Sequence, residues 1–246
     1  MRRNRQSPLF KRPLEYPKSR HGAAKQSPVF LCNPGNCTSY TSTNYILAGF
    51  VALGAAGGET ADWSALDQSQ IFPKPVGAKY QHCTFADKGQ LNKSLTIAGA
   101  SGGIFRHTRV ASQDASILGW TCGNLISPAS AAAEFFYDLL LAKRIIPGDM
   151  VDAMQDWRPL SVGWAKGQIQ YGTGLMIQQT SWNATYPPVL GSWGSYVGHG
   201  GDTYGFLSES GILPQFNASF SAIANQADAG FCSRGVGLLT SPLAEL

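Results

Sequence analysis

Charge is scarce in this chain: only 14% of its 246 residues are Asp, Glu, Lys or Arg, against about 25% in an average domain. That excludes a charged coiled coil or helical bundle. No run reaches the ~18 apolar residues of a membrane-spanning helix. The nearest, Tyr45 to Gly58, has fourteen residues and is broken by glycine, so it reads as a buried core helix and no membrane span is expected. No Cys-x-x-Cys pair or His/Cys cluster has zinc-ligand spacing, which argues against a structural metal. Two classes are abundant instead. Hydrophobic residues make up 43%, which excludes a wholly disordered chain, and glycine contributes 28 residues, above the usual ~7%. The profile suits a loop-rich, strand-containing domain.

The net charge of +4 hides a division. Residues 1–25 hold eight Lys/Arg and one acid, whereas the remainder holds eleven Lys/Arg and fourteen acids, so the body is slightly acidic. The basic segment lacks interleaved aromatics, so no nucleic-acid partner is expected. It also lacks an apolar stretch behind its arginines and is not a signal peptide as written. The expected organisation is a basic, disordered leader over 1–27, a domain over 28–232 and a C-terminal tail over 233–246. Five cysteines are present. Cys32 and Cys37 flank Asn-Pro-Gly-Asn, a turn sequence that brings two thiols close and makes them disulfide candidates. Sequons at Asn36, Asn92, Asn183 and Asn217 are glycosylation candidates. Together with the cysteine pair they point to an extracellular or lumenal setting.

From Gln26 to Gly58 there is no charge at all, which predicts a segment packed inside, with a short buried helix over Tyr45–Leu53. Residues 60–125 read as loops with short helices, punctuated by Pro73, Pro75 and scattered glycines. Ser127 and Pro128 predict a helix start, with the hydroxyl capping and the proline at the first helical position. Ala131–Lys143 would follow, its Phe135, Phe136, Leu139 and Leu140 forming an apolar stripe. A second helix is predicted over Asp149–Asp156. Tyr171–Ile177, Tyr204–Leu213 and Ala218–Ala224 read as strands. Helices in the middle and strands at the end predict an α+β domain.

Two segments are chemically suggestive. In Tyr196–Gly205, YVGHGGDTYG, a histidine precedes two glycines whose bare backbone lets a ligand approach closely. His199 there is suited to carrying a proton or contacting an anion. In Tyr40–Tyr45, YTSTNY, a tyrosine stands beside polar residues ahead of a helix, and a nearby cation would make it a base. Taken separately, each also reads as ordinary structure: a glycine-rich hairpin, and a capped helix beside packed aromatics.

Their order along the chain is more specific. The Tyr-x-x-Thr-Asn-Tyr helix is followed by SGGI, a Phe-Phe helix, GWAKGQIQYGTGLMI and GHGGDTYGFLSESGILPQFNASFSAIAN. This arrangement resembles the serine β-lactamase-related family, meaning class C β-lactamases, D,D-peptidases and related esterases, over about Tyr40 to Asn225. His199-Gly200-Gly201 matches the family's Lys/His-Thr/Gly-Gly triad, and Tyr40-Thr41-Ser42 falls on its Tyr-x-Asn box. The resemblance implies an antiparallel sheet flanked by helices, acyl transfer through a serine ester, no cofactor, and a small ester, amide or peptide-like ligand. It gives Tyr40 and His199 proton-handling roles and makes the Asp202 N–H an oxyanion donor beside Gly200 and Gly201. Ser42 replaces an asparagine and keeps only a hydroxyl for substrate contact.

The family's nucleophile is a serine in Ser-x-x-Lys. Three places before this chain's nine lysines stand Pro8, Glu15, Gly22, Ile71, Val76, Phe85, Gln90, Leu140 and Gly163. The motif is therefore absent, and the expectation is a partial domain whose nucleophile helix and preceding strands are missing. Ser101-Gly102-Gly103 aligns with a family loop of structural character, and no nucleophile elbow is read there. Without a nucleophile the covalent route has no starting atom. The alternative is a non-catalytic binding or interaction domain that reuses the scaffold. Composition does not decide the oligomeric state.

Overall fold

Most of the described backbone comes from the second half of the chain, where short strands follow one another through tight turns. The structure, a computed structural model, describes residues 32–33, 35–55, 76–80, 83–85, 104–105, 108–109, 114, 121–160, 169–179, 195–203 and 206–224. The chain divides into two units, Met1–Asn36 and Cys37–Leu246. In the first, the Asn36 N–H donates to the Asn33 carbonyl at 3.0 Å, and Gly35 sits at φ +85°. Glycine takes that left-handed conformation without a Cβ penalty. Cys32 and Cys37 are disulfide-bonded, while Cys83 and Cys122 are free. Cys232, Asn92 and Asn183 lie outside the described residues.

The second unit carries helix α1 (Ser42–Ala55), a 3₁₀ turn (Val76–Tyr80) and four two-residue strands. These are β1 (Thr84–Phe85), β2 (Ile104–Phe105), β3 (Thr108–Arg109) and β4 (Leu125–Ile126), paired antiparallel as β1–β4 and β2–β3. Helices α2 (Ala129–Phe136) and α3 (Gly148–Met154) follow. The main sheet contains β5 (Arg158–Pro159), β6 (Gln170–Tyr171), β7 (Met176–Gln179), β8 (Ser195–Thr203), β9 (Phe206–Leu213) and β10 (Ala218–Ala224). They lie in the order β10-β9-β8-β7-β6-β5, every neighbouring pair antiparallel. The α+β class and the helix-flanked antiparallel sheet are as expected. None of the described helices is long and apolar enough to cross a membrane.

Local chemistry moved several boundaries. The strand expected over Tyr171–Ile177 is the hairpin β6–β7, because Gly174 at φ +73° turns the chain and Gly172 N–H bonds the Leu175 carbonyl at 2.8 Å. Ser127 does not cap α2: its hydroxyl donates to the Pro128 carbonyl at 2.9 Å, and Pro128 itself is the N-cap residue. The helix expected to continue to Lys143 loosens after Phe136 into a π turn over Tyr137–Leu141, where Ala142 N–H reaches the Tyr137 carbonyl. Lys143, at φ 49°, then ends it. Asn217 also lies in the left-handed region, at φ 47°, and joins β9 to β10 through a 3₁₀ turn. Asparagine tolerates that conformation better than most residues, so this exposed sequon position has a turn role of its own.

Helix α1 is the largest correction. It was expected to be buried, yet Leu47, Phe50 and Val51 are 53%, 49% and 68% exposed, and only Gly49 and Leu53 are buried. Gly49 is what docks the helix. A Cβ there would meet the Thr121 side chain at 2.7 Å, and Thr121 Oγ1 donates to the Tyr45 carbonyl at 2.9 Å. Absence of charge permits burial but does not name the surface that supplies it.

The core lies between α2–α3 and one face of the sheet. Leu139, Leu140, Ile145 and Val151 meet Leu175, Ile177, Val197 and Ile212, with Phe135, Phe136 and Trp157 packed around them. A smaller cluster of Leu160, Ile169 and Met176 carries Tyr40 and Tyr171 against it. Burying a side chain of this size contributes roughly 1.5–3 kcal/mol, so two of the site's aromatic rings rest on stabilised ground.

One buried charge tethers the π turn. Asp138 is 1% exposed, with its carboxylate 2.9 Å from Lys79 Nζ, 3.0 Å from the Tyr80 hydroxyl and 3.2 Å from Arg144 Nη1. Burial alone would raise its pKa. The donors from Lys79 and Tyr80 and the charges of Lys79 and Arg144 outweigh burial and hold it below the usual carboxylate value.

Candidate active site

His199 lies in the middle of β8, within the stretch of that strand whose pairing changes. From Ser195 to Gly198 the strand pairs with β7 on one side and, from Val197 on, with β9 on the other. Among the described residues, His199–Thr203 pairs only with β9. Among the described residues the triad therefore occupies strand backbone paired along one edge only. Gly200 has a second consequence. It stands opposite Glu209, and a Cβ at Gly200 would meet the two carboxylate oxygens at 3.1 and 3.2 Å.

Three tyrosines surround the histidine. The Tyr40 ring, just ahead of α1, lies 5.7 Å from the His199 ring, that of Tyr171 5.8 Å and that of Tyr45 6.3 Å. Tyr171 is 3.0 Å from His199 Nε2 through its hydroxyl, and the Tyr45 hydroxyl hydrogen-bonds that of Tyr171. His199 Nδ1 lies 2.5 Å from the Gly200 carbonyl oxygen. Burial pulls the His199 pKa below the usual histidine value, and the hydrogen bond to Gly200 opposes this only in part. Burial likewise pushes the Tyr171 hydroxyl up, reinforced by its contact with Tyr45. The Tyr45 hydroxyl also rises, through burial first. On β9, Glu209 accepts a hydrogen bond from the buried Tyr196, and burial raises its carboxyl above the ordinary range against that bond.

Tyr40 and His199, read from sequence segments more than 150 residues apart, are thus in ring contact. Gly200 and Gly201 lie beside them in β8, while Ser42 at the first position of α1 and Asp202 near the end of β8 are both exposed. Sequence reasoning missed Tyr171 and Glu209, and it treated Tyr45 only as part of a helix start. No motif marks them; the hairpin at Gly174 places Tyr171, the β8–β9 register places Glu209, and Tyr45 comes in on α1. It also passed over Gly99-Ala100-Ser101-Gly102-Gly103, which spells the Gly-x-Ser-x-Gly pattern of a nucleophile elbow and lies outside the described residues. Among the described residues no three His, Cys, Asp or Glu side chains group as a metal site.

The fold is that of the β-lactamase and transpeptidase-like proteins. The chain is similar to the D-stereospecific amidohydrolase of a Streptomyces species, at 21% identity and a TM-score of 0.58, over 80% of this chain and 54% of that one. It is similar to the D-amino acid amidase of Ochrobactrum anthropi SV3 complexed with D-phenylalanine, at 19% identity and a TM-score of 0.57, over 86% of this chain and 62% of that one. SurE matches at 23% identity and a TM-score of 0.57, over 90% of this chain and 48% of its own. The chain thus spans about half to three-fifths of the length of these proteins. No protein-family model matches it, and no curated protein does.

Proposed function

We propose that this chain forms the ligand-recognition and proton-handling part of an acyl-transfer site of the serine β-lactamase-related kind, and that it takes small amide, ester or peptide-like ligands. The observation that carries the reading is the contact of Tyr40 with His199, which joins the tyrosine box to the His-Gly-Gly strand. Support comes from the fold shared with a D-stereospecific amidohydrolase and a D-amino acid amidase. In this reading the edge of His199–Thr203 that faces away from β9 receives the ligand backbone and the Asp202 N–H faces the developing oxyanion. One such donor is worth ~10²–10³ in rate in an active enzyme. His199 moves the proton, and Ser42 offers a hydroxyl to the ligand.

The chain itself holds no Ser-x-x-Lys. Its described lysines serve structure instead: Lys79 and Lys143 are ion-paired to Asp138 and Asp152. We expect a fluorophosphonate probe to leave the 246-residue chain unlabelled. We also expect D-phenylalanine amide to bind reversibly, and His199→Ala to weaken that binding about tenfold, because the ring that holds Tyr40 and Tyr171 in place is removed. Calorimetric titration and intact-mass analysis read these outcomes. A covalent adduct, at Ser101 above all, overturns the absence of a nucleophile; binding unchanged by His199→Ala overturns the site. The alternative, a binding domain reusing the scaffold, is favoured by binding without turnover of the amide.

A further inference from the structure

The protons around His199 follow from which atoms donate and which accept. A carbonyl oxygen only accepts, so the ring nitrogen 2.5 Å from the Gly200 carbonyl, Nδ1, carries a hydrogen. A neutral imidazole has one N–H, so Nε2 offers a lone pair, and the Tyr171 hydroxyl 3.0 Å away donates to it. With its only proton directed at His199, Tyr171 must accept from Tyr45 across their shared hydrogen bond. The chain of bonds therefore has one direction: Tyr45 to Tyr171, Tyr171 to Nε2, and Nδ1–H to Gly200. Its three members come from α1, β6 and β8.

We propose that His199 is the proton acceptor of this site and that Tyr171 and Tyr45 relay protons to it, the Tyr45 hydroxyl being the port where a bound hydroxyl or water hands its proton in. The proposal rests on the acyl-transfer reading for what the donor then does. A donor O–H on Tyr45 Oη loses its proton to that oxygen, Tyr45 passes its own proton to Tyr171, and Tyr171 passes its own to Nε2. Three O–H bonds break, while two O–H bonds and one N–H bond form. The donor oxygen keeps the electron pair to attack a carbonyl carbon, His199 becomes imidazolium, and both tyrosines end neutral. The reverse passage returns the proton to the leaving group.

Two features support a hopping route over a tyrosinate base. Burial raises the Tyr45 and Tyr171 hydroxyls, so neither is a good place to hold a negative charge. Burial also lowers His199, so the ring is neutral at pH 7 with its lone pair available, and it gives the proton back readily. Among the described residues, the titratable groups facing the ring are Tyr40 ahead of α1, Tyr45 on α1 and Tyr171 on β6. Glu209 on β9 lies opposite the next residue, Gly200.

The test uses the whole chain with ¹⁵N-labelled histidine, the His199 signals being assigned by their loss in His199→Gln. The expected spectrum at pH 7.5 shows the Nδ1–H tautomer with a hydrogen-bonded Nε2. Tyr171→Phe should move the Nε2 signal to that of an unbonded nitrogen, and Tyr45→Phe should move it part of the way, since Tyr45 polarises the Tyr171 hydroxyl. An Nε2–H tautomer, or an Nε2 signal unmoved by Tyr171→Phe, overturns the relay. Both variants keep their rings, and an unchanged melting curve confirms that they fold. A second arm follows water cleavage of 4-nitrophenyl acetate, which needs a base but no serine, above the His199→Gln background. Loss of about tenfold or more is expected in Tyr171→Phe and in Tyr45→Phe. A rate retained in either variant, or no rate above that background, overturns the relay's role. Failure of D-phenylalanine amide to bind would instead sink the acyl-transfer reading and leave the proton directions standing.

Discussion

Asp138→Ala is expected to lower the stability of the folded body by about 2–4 kcal/mol, seen as a lower urea midpoint at unchanged slope. The carboxylate is 1% exposed and accepts from Lys79 and Tyr80 of the 3₁₀ turn and from Arg144, three residues past the π turn. Removing it takes away the acceptor of the hydroxyl of Tyr80, itself 7% exposed. The two cations lose less, because they are half in water and rehydrate. That is why the figure stays below the 3–5 kcal/mol typical of a wholly buried broken pair. The effect has a pH signature. Asp138 is held below its unfolded value of about 3.9, so the folded state keeps it ionised where the unfolded chain would protonate it. Its stabilisation is full above about pH 4 and is lost as pH falls through the folded pKa. The variant should therefore show a shallower acid limb between pH 4 and 2 than the parent chain. An equally steep limb would mean that other carboxyls carry the acid response.

Gly198→Ala should be the most damaging methyl added near the site. The new Cβ would lie 2.0 Å from the Ser210 carbonyl oxygen and 2.5 Å from the Gly211 Cα, both backbone atoms of β9 that have no rotamer to give. Gly211 is its cross-strand partner, and a Cβ there meets the Val197 carbonyl oxygen at 2.3 Å. Overpacking of this kind costs typically ~1–3 kcal/mol. Here it also prises β8 from β9 one residue before His199, so the Nε2 bond to Tyr171 should weaken along with stability. Gly201→Ala is the control for stability. Its closest contact would be the Ser208 hydroxyl, at 2.4 Å, a group that rotates away, with the Ser208 Cβ at an ordinary 3.7 Å. Thermal melts of the two variants should separate clearly, with Gly198→Ala the lower; equal melting points would show that β8 and β9 have room to part.

The legibility of this protein differed from element to element. The strand Ala218–Ala224 was read to the residue, because apolar and hydroxyl side chains alternate there between a turn asparagine and a change of composition. The hairpin inside Tyr171–Ile177 was read as one strand, because two glycines in a row of strand formers do not announce which of them turns the chain. Helix α1 was placed within three residues of its true start, yet its burial was misjudged, since burial depends on what packs alongside. The His-Gly-Gly segment was found as chemistry before it was known to be the interior of β8.

The amino-acid sequence by itself determined the α+β class, the excess of basic residues over 1–25, the absence of Ser-x-x-Lys and the identity of Tyr40 and His199 as the residues to watch. These are properties of composition, spacing and order, which a linear chain carries openly. Only the tertiary structure decided that Tyr45 and Tyr171 join them, that Glu209 lies against Gly200, and that the hydrogen bonds around the imidazole run one way. Those facts depend on a β8–β9 register, a β6–β7 turn and the docking of α1, which bring together residues as many as 159 places apart. A hydrogen bond has meaning only once donor and acceptor are within about 3 Å of each other, and no local pattern in the sequence encodes that distance.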